Sequence, residues 1–296
     1  MKTNPIYKRE TTIEARSYQL AAILAVFNGI LAMVALLNMY SVTAKVRMTA
    51  EIQYSSFLEL YSFVAAIEFI MLIFIMPALT SGSISGERER KTLDLLMTTN
   101  LTPAELVIGK LAASFSVMAL LIISSLPVLA LVFVYGGITI WDLIQLFLCY
   151  MIMALYAGGI GIFFSSLFKR TLFSTVLSYA AIAVITLGTY AVNSIAVTLQ
   201  RMDSSSFAGI ASNSAAQFSS GGFLYLLLFN PAITYYALIS HQVGNNQTIS
   251  YLMQTFGMNH PSWILKNWVP VSIFVQLISG VLLVFFAIRH LDSGKR

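Results

Sequence analysis

Long apolar runs separated by short polar segments dominate the pattern of this chain. Five runs of about 20 residues or more carry no charge, and a sixth, over 57–80, contains Glu59 and Glu68. An apolar helix of roughly 20 residues is long enough to cross the hydrocarbon core of a bilayer. We therefore expect an all-α integral membrane protein that forms one transmembrane domain over 1–296. The six expected spans are 19–40, 57–80, 106–135, 142–168, 171–199 and 268–289.

The segment between the second and third runs is densely charged, with five consecutive charged residues over 87–91. Acidic residues in its first turn are favoured by the helix dipole, and Ser85 is in position to cap a helix. Apolar residues then recur at spacings of three and four, which is the period of one helix face. The pattern predicts a helix over 86–99. The apolar residues of its stripe are Leu93, Leu96 and Met97.

Two local motifs predict where other helices begin. Thr102 and Glu105 form the two halves of a capping box around Pro103, so the third transmembrane helix should begin at Pro103. Asn4 before Pro5 is a second candidate N-cap, with proline at the first helical position, and predicts a helix over 5–17. This helix either lies in the membrane interface as an elbow or is a solvated lead-in.

The polar region 201–266, between the fifth and sixth spans, contains an apolar stretch over 223–240 that is long enough to suggest a seventh crossing. Asn230-Pro231 interrupts this stretch, and proline in a spanning helix removes a backbone hydrogen bond. We expect two short helices that form a re-entrant hairpin on the outer side. A seventh crossing would also place the basic C-terminus outside.

Composition and charge support a membrane protein with a defined orientation. The sequence is 58% hydrophobic and 10% charged, and its mean hydropathy is +0.81. Thirteen of the 17 Lys and Arg fall on one side of the expected topology, which places both termini in the cytoplasm. The net charge of +5 therefore reflects topology and does not indicate nucleic-acid binding. We expect a multi-pass protein of a bacterial cell membrane.

The sequence carries no pattern for catalysis or cofactor binding. Residues 86–92 read GERERKT and lack the second glycine of a phosphate-binding loop. The three histidines have no metal-ligand spacing, and no catalytic cluster accompanies them. We expect no cofactor in this chain, and no enzyme activity of its own.

Inside the membrane, Glu68 needs an explanation because a carboxylate in a span is costly and no basic residue shares a span with it. It is either a protonated, hydrogen-bonded structural residue or a residue of a transport path or gate. The fifth span places four polar residues on one expected helix face, which suits a path, a dimer interface or helix-to-helix hydrogen bonding. These four are Tyr179, Thr186, Tyr190 and Asn193.

Several motifs resemble those of the permease subunits of ATP-binding-cassette type 2 transporters. The charged segment is similar to the family's coupling helix in its G-E-R-E run and in the T-L-D-L-L that follows over 92–96. Ile108-Gly109-Lys110, Asn4-Pro5-Ile6 and Leu228-Phe229-Asn230-Pro231 are similar to other family motifs. Met97 departs from the usual leucine. The resemblance implies an exporter permease with an elbow helix, a re-entrant outer hairpin, a second permease subunit in a homodimer or heterodimer, and two separate ATPase subunits that bind ATP and Mg²⁺.

The resemblance gives the charged segment a role in docking. We expect its apolar stripe to insert into a groove on the ATPase, with the neighbouring charges forming the rim of the contact. The alternative is a stand-alone secondary transporter or channel that uses Glu68. The residues assigned to the ATPase contact are Glu87, Arg88, Glu89, Arg90, Thr92, Leu93, Asp94, Leu96 and Met97.

Overall fold

The computed structural model of the protein describes residues 4–49, 54–98, 101–134, 138–207, 220–244 and 263–293, and every regular element in these ranges is helical. The elements are α1 (Pro5–Ala15), α2 (Tyr18–Thr49), α3 (Tyr54–Thr80), α4 (Ser85–Glu89), α5 (Leu93–Thr98), α6 (Pro103–Val134), α7 (Ile140–Leu167), α8 (Thr171–Ala183), a π turn (Val184–Gly188), α9 (Thr189–Phe207), a 3-10 helix (Gly221–Phe229), α10 (Pro231–Gln242), α11 (Trp263–Lys266) and α12 (Trp268–Ser293).

Six stretches of helix in the described ranges are long and apolar enough to cross a membrane, which confirms the expected number. The 3-10 helix and α10 would add a seventh only if they were counted as one span, and they are bent by 88° at Asn230. The six candidate spans are Tyr18–Ala44, Leu58–Glu89, Pro103–Ala130, Ile140–Leu167, Thr171–Gln200 and Trp268–Asp292.

The chain divides into two compact units, the first of which comprises Met1–Tyr179 and Leu277–Arg296. Its centre is formed by α3, α6 and α7, whose most apolar stretches are half buried or more, whereas α2 leaves most of its apolar surface exposed. Gly161 of α7 lies so close to the end of α3 that a β-carbon there would overlap the Thr80 hydroxyl. Glycine therefore permits the close packing of α3 against α7.

The second unit comprises Ala180–Gln276. The 3-10 helix and α10 pack with parts of α9, α11 and α12 around a buried apolar cluster. Inside this unit the Gln276 amide donates to the Leu228 carbonyl at 3.2 Å. The cluster consists of Val197, Leu224, Leu227, Leu228, Ala237, Leu265 and Trp268.

Both predicted capping motifs are present. The Thr102 N–H donates to the Glu105 carboxylate at 2.9 Å, and the Glu105 N–H donates to the Thr102 hydroxyl at 3.2 Å. The helix that follows begins at Pro103, as predicted. At the other end of the sequence, the Asn4 side chain accepts a hydrogen bond from the Ile6 N–H at 3.0 Å, and α1 extends to Ala15 rather than to residue 17.

Candidate functional site

The charged segment between the second and third spans contains a sharp turn. Lys91 has a φ of 58°, in the left-handed region that favours glycine. The Lys91 N–H donates to the Arg88 carbonyl at 3.1 Å, and the Thr92 N–H donates to the Glu87 carbonyl at 2.9 Å. These two bonds form the Schellman motif that closes a helix C-terminus. The expectation of one helix over 86–99 was therefore wrong, and α4 and α5 are separate helices.

Glu87 of α4 faces the rest of the chain. Its carboxylate accepts hydrogen bonds from the Thr92 hydroxyl and, at 3.2 Å, from the ammonium group of Lys110 on α6. The same ammonium group pairs with Glu10 of α1, also at 3.2 Å. The Lys110 side chain is only 8% exposed. Lys110 therefore joins α1, α4 and α6 through charge-assisted hydrogen bonds.

Arg88 and Glu89 contact the ends of two other helices. The Arg88 guanidinium donates to the carbonyls of Ser166 and Phe168, at 3.1 and 3.5 Å, where α7 ends. The Glu89 carboxylate accepts from the N–H and hydroxyl of Thr171, at 3.3 and 2.8 Å, where α8 begins. Helix dipoles favour a cation at a C-terminus and an anion at an N-terminus, so each charge matches the helix end that it contacts.

Buried hydroxyl groups attach the start of α4 to its neighbours. The Ser165 hydroxyl of α7 accepts from the N–H groups of Ile84 and Ser85, each at 2.9 Å. The Ser81 carbonyl accepts from the hydroxyls of Ser85 and Ser174, at 3.0 and 2.6 Å. The prediction that Ser85 is the N-cap was wrong, because Ser85 is the first helical residue and Ser165 supplies the capping oxygen.

These contacts change the expected role of the charges. Glu87, Arg88 and Glu89 were expected to form a rim around an ATPase contact, but each bonds within the chain. Arg90 and Lys91 are exposed. The G-E-R-E run therefore attaches α4 to α6, α7 and α8, and the two basic residues that follow it are available to a partner.

In α5 the exposed apolar residue differs from the expected ones. Leu93 is 6% exposed and cannot enter a groove on another protein without leaving its own packing, whereas Leu95 is 68% exposed. Leu96 is half-buried. The side chains of Asp94 and Met97, also assigned to the contact, lie outside the described part of the structure.

The α1 helix lies directly on the start of α6. The Asn4 amide donates to the Glu105 carbonyl at 2.7 Å. A β-carbon at Gly109 would lie 3.0 Å from the Asn4 amide nitrogen and 3.0 Å from the Ile6 β-carbon. The close approach of α1 at Gly109 brings Glu10 within reach of Lys110.

A second α1 carboxylate lies near this junction. Burial raises the pKa of Glu14, the neighbouring charge of Glu10 raises it further, and Lys110 partly offsets the two. Glu14 is thus harder to ionise than a glutamate in water. The cluster holds three carboxylates from α1 and α4 around one ammonium group.

The candidate path residues mostly make contacts within the chain. Glu68 is fully buried in α3, and the Ser125 hydroxyl of α6 bonds to it. The Tyr179 hydroxyl donates to the Phe74 carbonyl at 2.7 Å, which supports the helix-to-helix bonding interpretation. Tyr190 is 40% exposed. The π turn between α8 and α9 adds one residue to a helical turn, so a face counted at 3.6 residues per turn changes register there.

Within the second unit, the Asn230 side chain bonds to the π turn, to α9 and to the start of α10. Its amide donates to the Thr186 carbonyl in the π turn and to the Thr189 hydroxyl, at 2.8 and 2.9 Å. Its side-chain oxygen accepts from the N–H groups of Ala232 and Ile233 at the start of α10. Asn230 therefore caps one helix and bonds to another. The buried Asn193 amide similarly donates to the Thr189 and Phe223 carbonyls, at 2.9 and 3.0 Å.

Sequence reasoning did not identify the partners of the charged segment. Lys110 was noted only as part of a motif, and Glu10 only as part of the lead-in helix. Nothing in the sequence indicated that Ser165 and Thr171 bond to the charged segment, apart from their positions near the ends of apolar runs. Among the residues that the structure describes, no group of three or more His, Cys, Asp or Glu side chains could hold a metal ion.

The fold and the site define a helical multi-pass membrane protein in which a polar segment between the second and third spans bonds to the ends of several helices. The sequence matches the family described as ABC-2 family transporter protein over residues 5–289. The chain belongs to this family and is an ABC transporter permease, the membrane component that works with ATPase partners and has no catalytic site of its own. No curated protein matches the sequence.

Proposed function

We propose that this chain is the permease subunit of an ATP-binding-cassette exporter, and that separate ATPase subunits dock on α4 and α5. The single observation that carries the proposal is the attachment of α4 to three helices through Glu87, Arg88 and Glu89. A displacement of α4 by a partner would act on α6, α7 and α8 together. The resemblance of this segment to a coupling helix supports the same role.

The exposed surface for the partner would be centred on Leu95. Among the α5 side chains that the structure describes, Leu95 is the large apolar one that is well exposed, and Arg90, Lys91 and Thr98 are exposed near it in sequence. Burying one leucine side chain contributes about 1.5 to 3 kcal/mol before the costs of association. We therefore assign the apolar contact to Leu95 in place of Leu93.

The proposed assembly contains two ATPase subunits and a second permease subunit, with ATP and Mg²⁺ bound in the ATPases. The excess of Lys and Arg in one set of loops supports cytoplasmic termini and a position of α4 and α5 on the cytoplasmic side of the cell membrane. The helix α1 would then be an interfacial elbow, and the bent pair at Asn230 a re-entrant hairpin on the outer side.

Copurification with the cognate ATPase tests the docking surface. Leu95→Asp should abolish copurification, because a carboxylate would be buried against an apolar groove, while Leu95→Met should preserve it. Ile13→Asp is the matched control, since Ile13 is an exposed apolar residue of α1. If Leu95→Asp and Ile13→Asp chains both retained the ATPase, docking on α5 would be wrong.

A further inference from the structure

Glu68 lies at the contact of α3 with α6 and α7, and its side chain has no exposed surface. A hydrogen bond joins its carboxyl group to the Ser125 hydroxyl of α6. The Tyr150 hydroxyl of α7 lies beside the same carboxyl group. Two hydroxyl groups therefore form the polar surroundings of a carboxyl group that is excluded from solvent.

Each of these hydroxyls has one proton, and each is close to a backbone carbonyl that can only accept. The Ser125 hydroxyl lies 2.8 Å from the Ile122 carbonyl, and the Tyr150 hydroxyl lies 2.8 Å from the Ala65 carbonyl. If both protons are donated to these carbonyls, neither hydroxyl has a proton left for Glu68. The two oxygens can then act toward the carboxyl group only as acceptors.

The surrounding helices supply no cation that could stabilise an ionised Glu68. The sequence contains no Lys, Arg or His over 17–44, 48–87 or 111–168, which include the apolar parts of α2, α3, α6 and α7. The other titratable groups nearby are Tyr61 of α3 and Tyr150, and Asp142 at the start of α7 acts on Tyr61. All of these are acids, and a buried carboxylate with no cation beside it would be strongly destabilising.

We infer that Glu68 is a proton-binding site of the membrane-spanning core, in which the neutral carboxylic acid donates its proton in a hydrogen bond to the Ser125 hydroxyl oxygen. The Ser125 oxygen keeps its lone pairs when its proton bonds to the Ile122 carbonyl, and the protonated acid donates to one of them. This hydrogen bond joins α3 to α6 without placing a charge between the two helices. This inference does not depend on the proposed function, because it concerns the protonation state of one side chain in the folded chain.

Infrared difference spectroscopy tests the proton directly. The purified full chain in lipid bilayers at neutral pH should show the C=O stretching band of a protonated carboxylic acid. Glu68→Gln should lower the area of this band by about one group per chain. Glu59→Gln is the matched control: Glu59 lies on the same helix but is exposed, so its replacement should leave the band unchanged. Absence of the band from the wild-type chain, or a band of unchanged area in Glu68→Gln, would overturn the inference.

The frequency of the C=O band tests the direction of the hydrogen bond between Glu68 and Ser125. Ser125→Ala removes the proposed acceptor, and the C=O band of Glu68 should then shift in frequency without losing area. A band at the unchanged frequency in Ser125→Ala would show that Glu68 does not donate to Ser125. Either outcome can be read from chains that differ by one oxygen atom.

Discussion

Two glutamates of neighbouring elements, Glu87 in α4 and Glu68 in α3, occupy opposite environments. Glu87 is partly exposed and pairs with the ammonium group of Lys110. Glu68 is fully buried beside two hydroxyls. The first environment favours the ionised carboxylate, whereas the second favours the neutral acid. The comparison shows that side-chain charge in this chain is used at helix ends and is avoided in the apolar centre.

The difference also separates two ways of joining helices. Around Lys110, the attraction between opposite charges acts between three elements and leaves some of their surface in water. Around Glu68, a hydrogen bond holds helices that are already closely packed. Contacts of the first kind keep part of each carboxylate in water, which suits a segment that moves. The second kind suits a rigid core.

The largest expected effect comes from removing the ammonium group of Lys110, the cation that pairs with Glu87. Lys110→Met would leave Glu10 and Glu87 unpaired beside Glu14. Breaking a buried ion pair typically costs about 3 to 5 kcal/mol, and because both carboxylates are partly exposed we expect about 2 kcal/mol here. Denaturant unfolding in mixed micelles measures this loss.

The exposed Lys169 provides the control for that prediction. Lys169→Met removes the same charge from a surface position and should change the free energy of unfolding by less than about 0.5 kcal/mol. Equal losses for the two variants would contradict a specific role for Lys110. Replacing Glu87 by Gln in the Lys110→Met chain should recover part of the stability.

The same substitution at both glutamates sharpens the comparison. Glu87→Gln should lower the free energy of unfolding by about 1 kcal/mol, because the amide cannot form an ion pair with Lys110. Glu68→Gln should change it by less than about 0.5 kcal/mol, because the amide is neutral and can still donate to Ser125. Unfolding of the two variants under identical conditions gives the answer. A larger loss at Glu68 than at Glu87 would reverse the assigned charge states.

The smallest expected effect concerns the turn that follows Glu87. Lys91→Gly relieves a left-handed conformation that costs a non-glycine residue roughly 1 to 2 kcal/mol, part of which is offset by the greater backbone entropy of glycine when unfolded. We expect a gain of up to about 1 kcal/mol. Lys8→Gly, inside α1, should instead destabilise by about 1 kcal/mol. Thermal unfolding of both variants checks whether the signs differ.

The sequence was most informative where the interactions are local. The capping box of Thr102 and Glu105 acts over three residues, so the start of α6 at Pro103 could be predicted from the chain itself. The number of spans followed from the length of the apolar runs for the same reason. Asn4 was also assigned correctly as a cap from its position before Pro5.

Contacts between distant residues could not be predicted in this way. Lys110 meets a residue of α1 and a residue of α4, and nothing in the spacing of Glu10 or Glu87 indicates that pairing. The charges of α4 were expected to form the rim of an ATPase contact, because the sequence could not show which helix ends surround them. The left-handed turn at Lys91 was missed because lysine gives no signal for it, as glycine would.

The four hydrogen bonds of the Asn230 side chain have a consequence for the chemical durability of the protein. Aspartate at this position would have no N–H groups to donate to Thr186 and Thr189, so conversion of the asparagine to aspartate would remove both of these bonds. Spontaneous deamidation of asparagine begins with attack by the backbone nitrogen of the following residue, and here that residue is Pro231, which carries no N–H. Pro231, the first residue of α10, thus also protects the N-cap residue Asn230 from spontaneous deamidation.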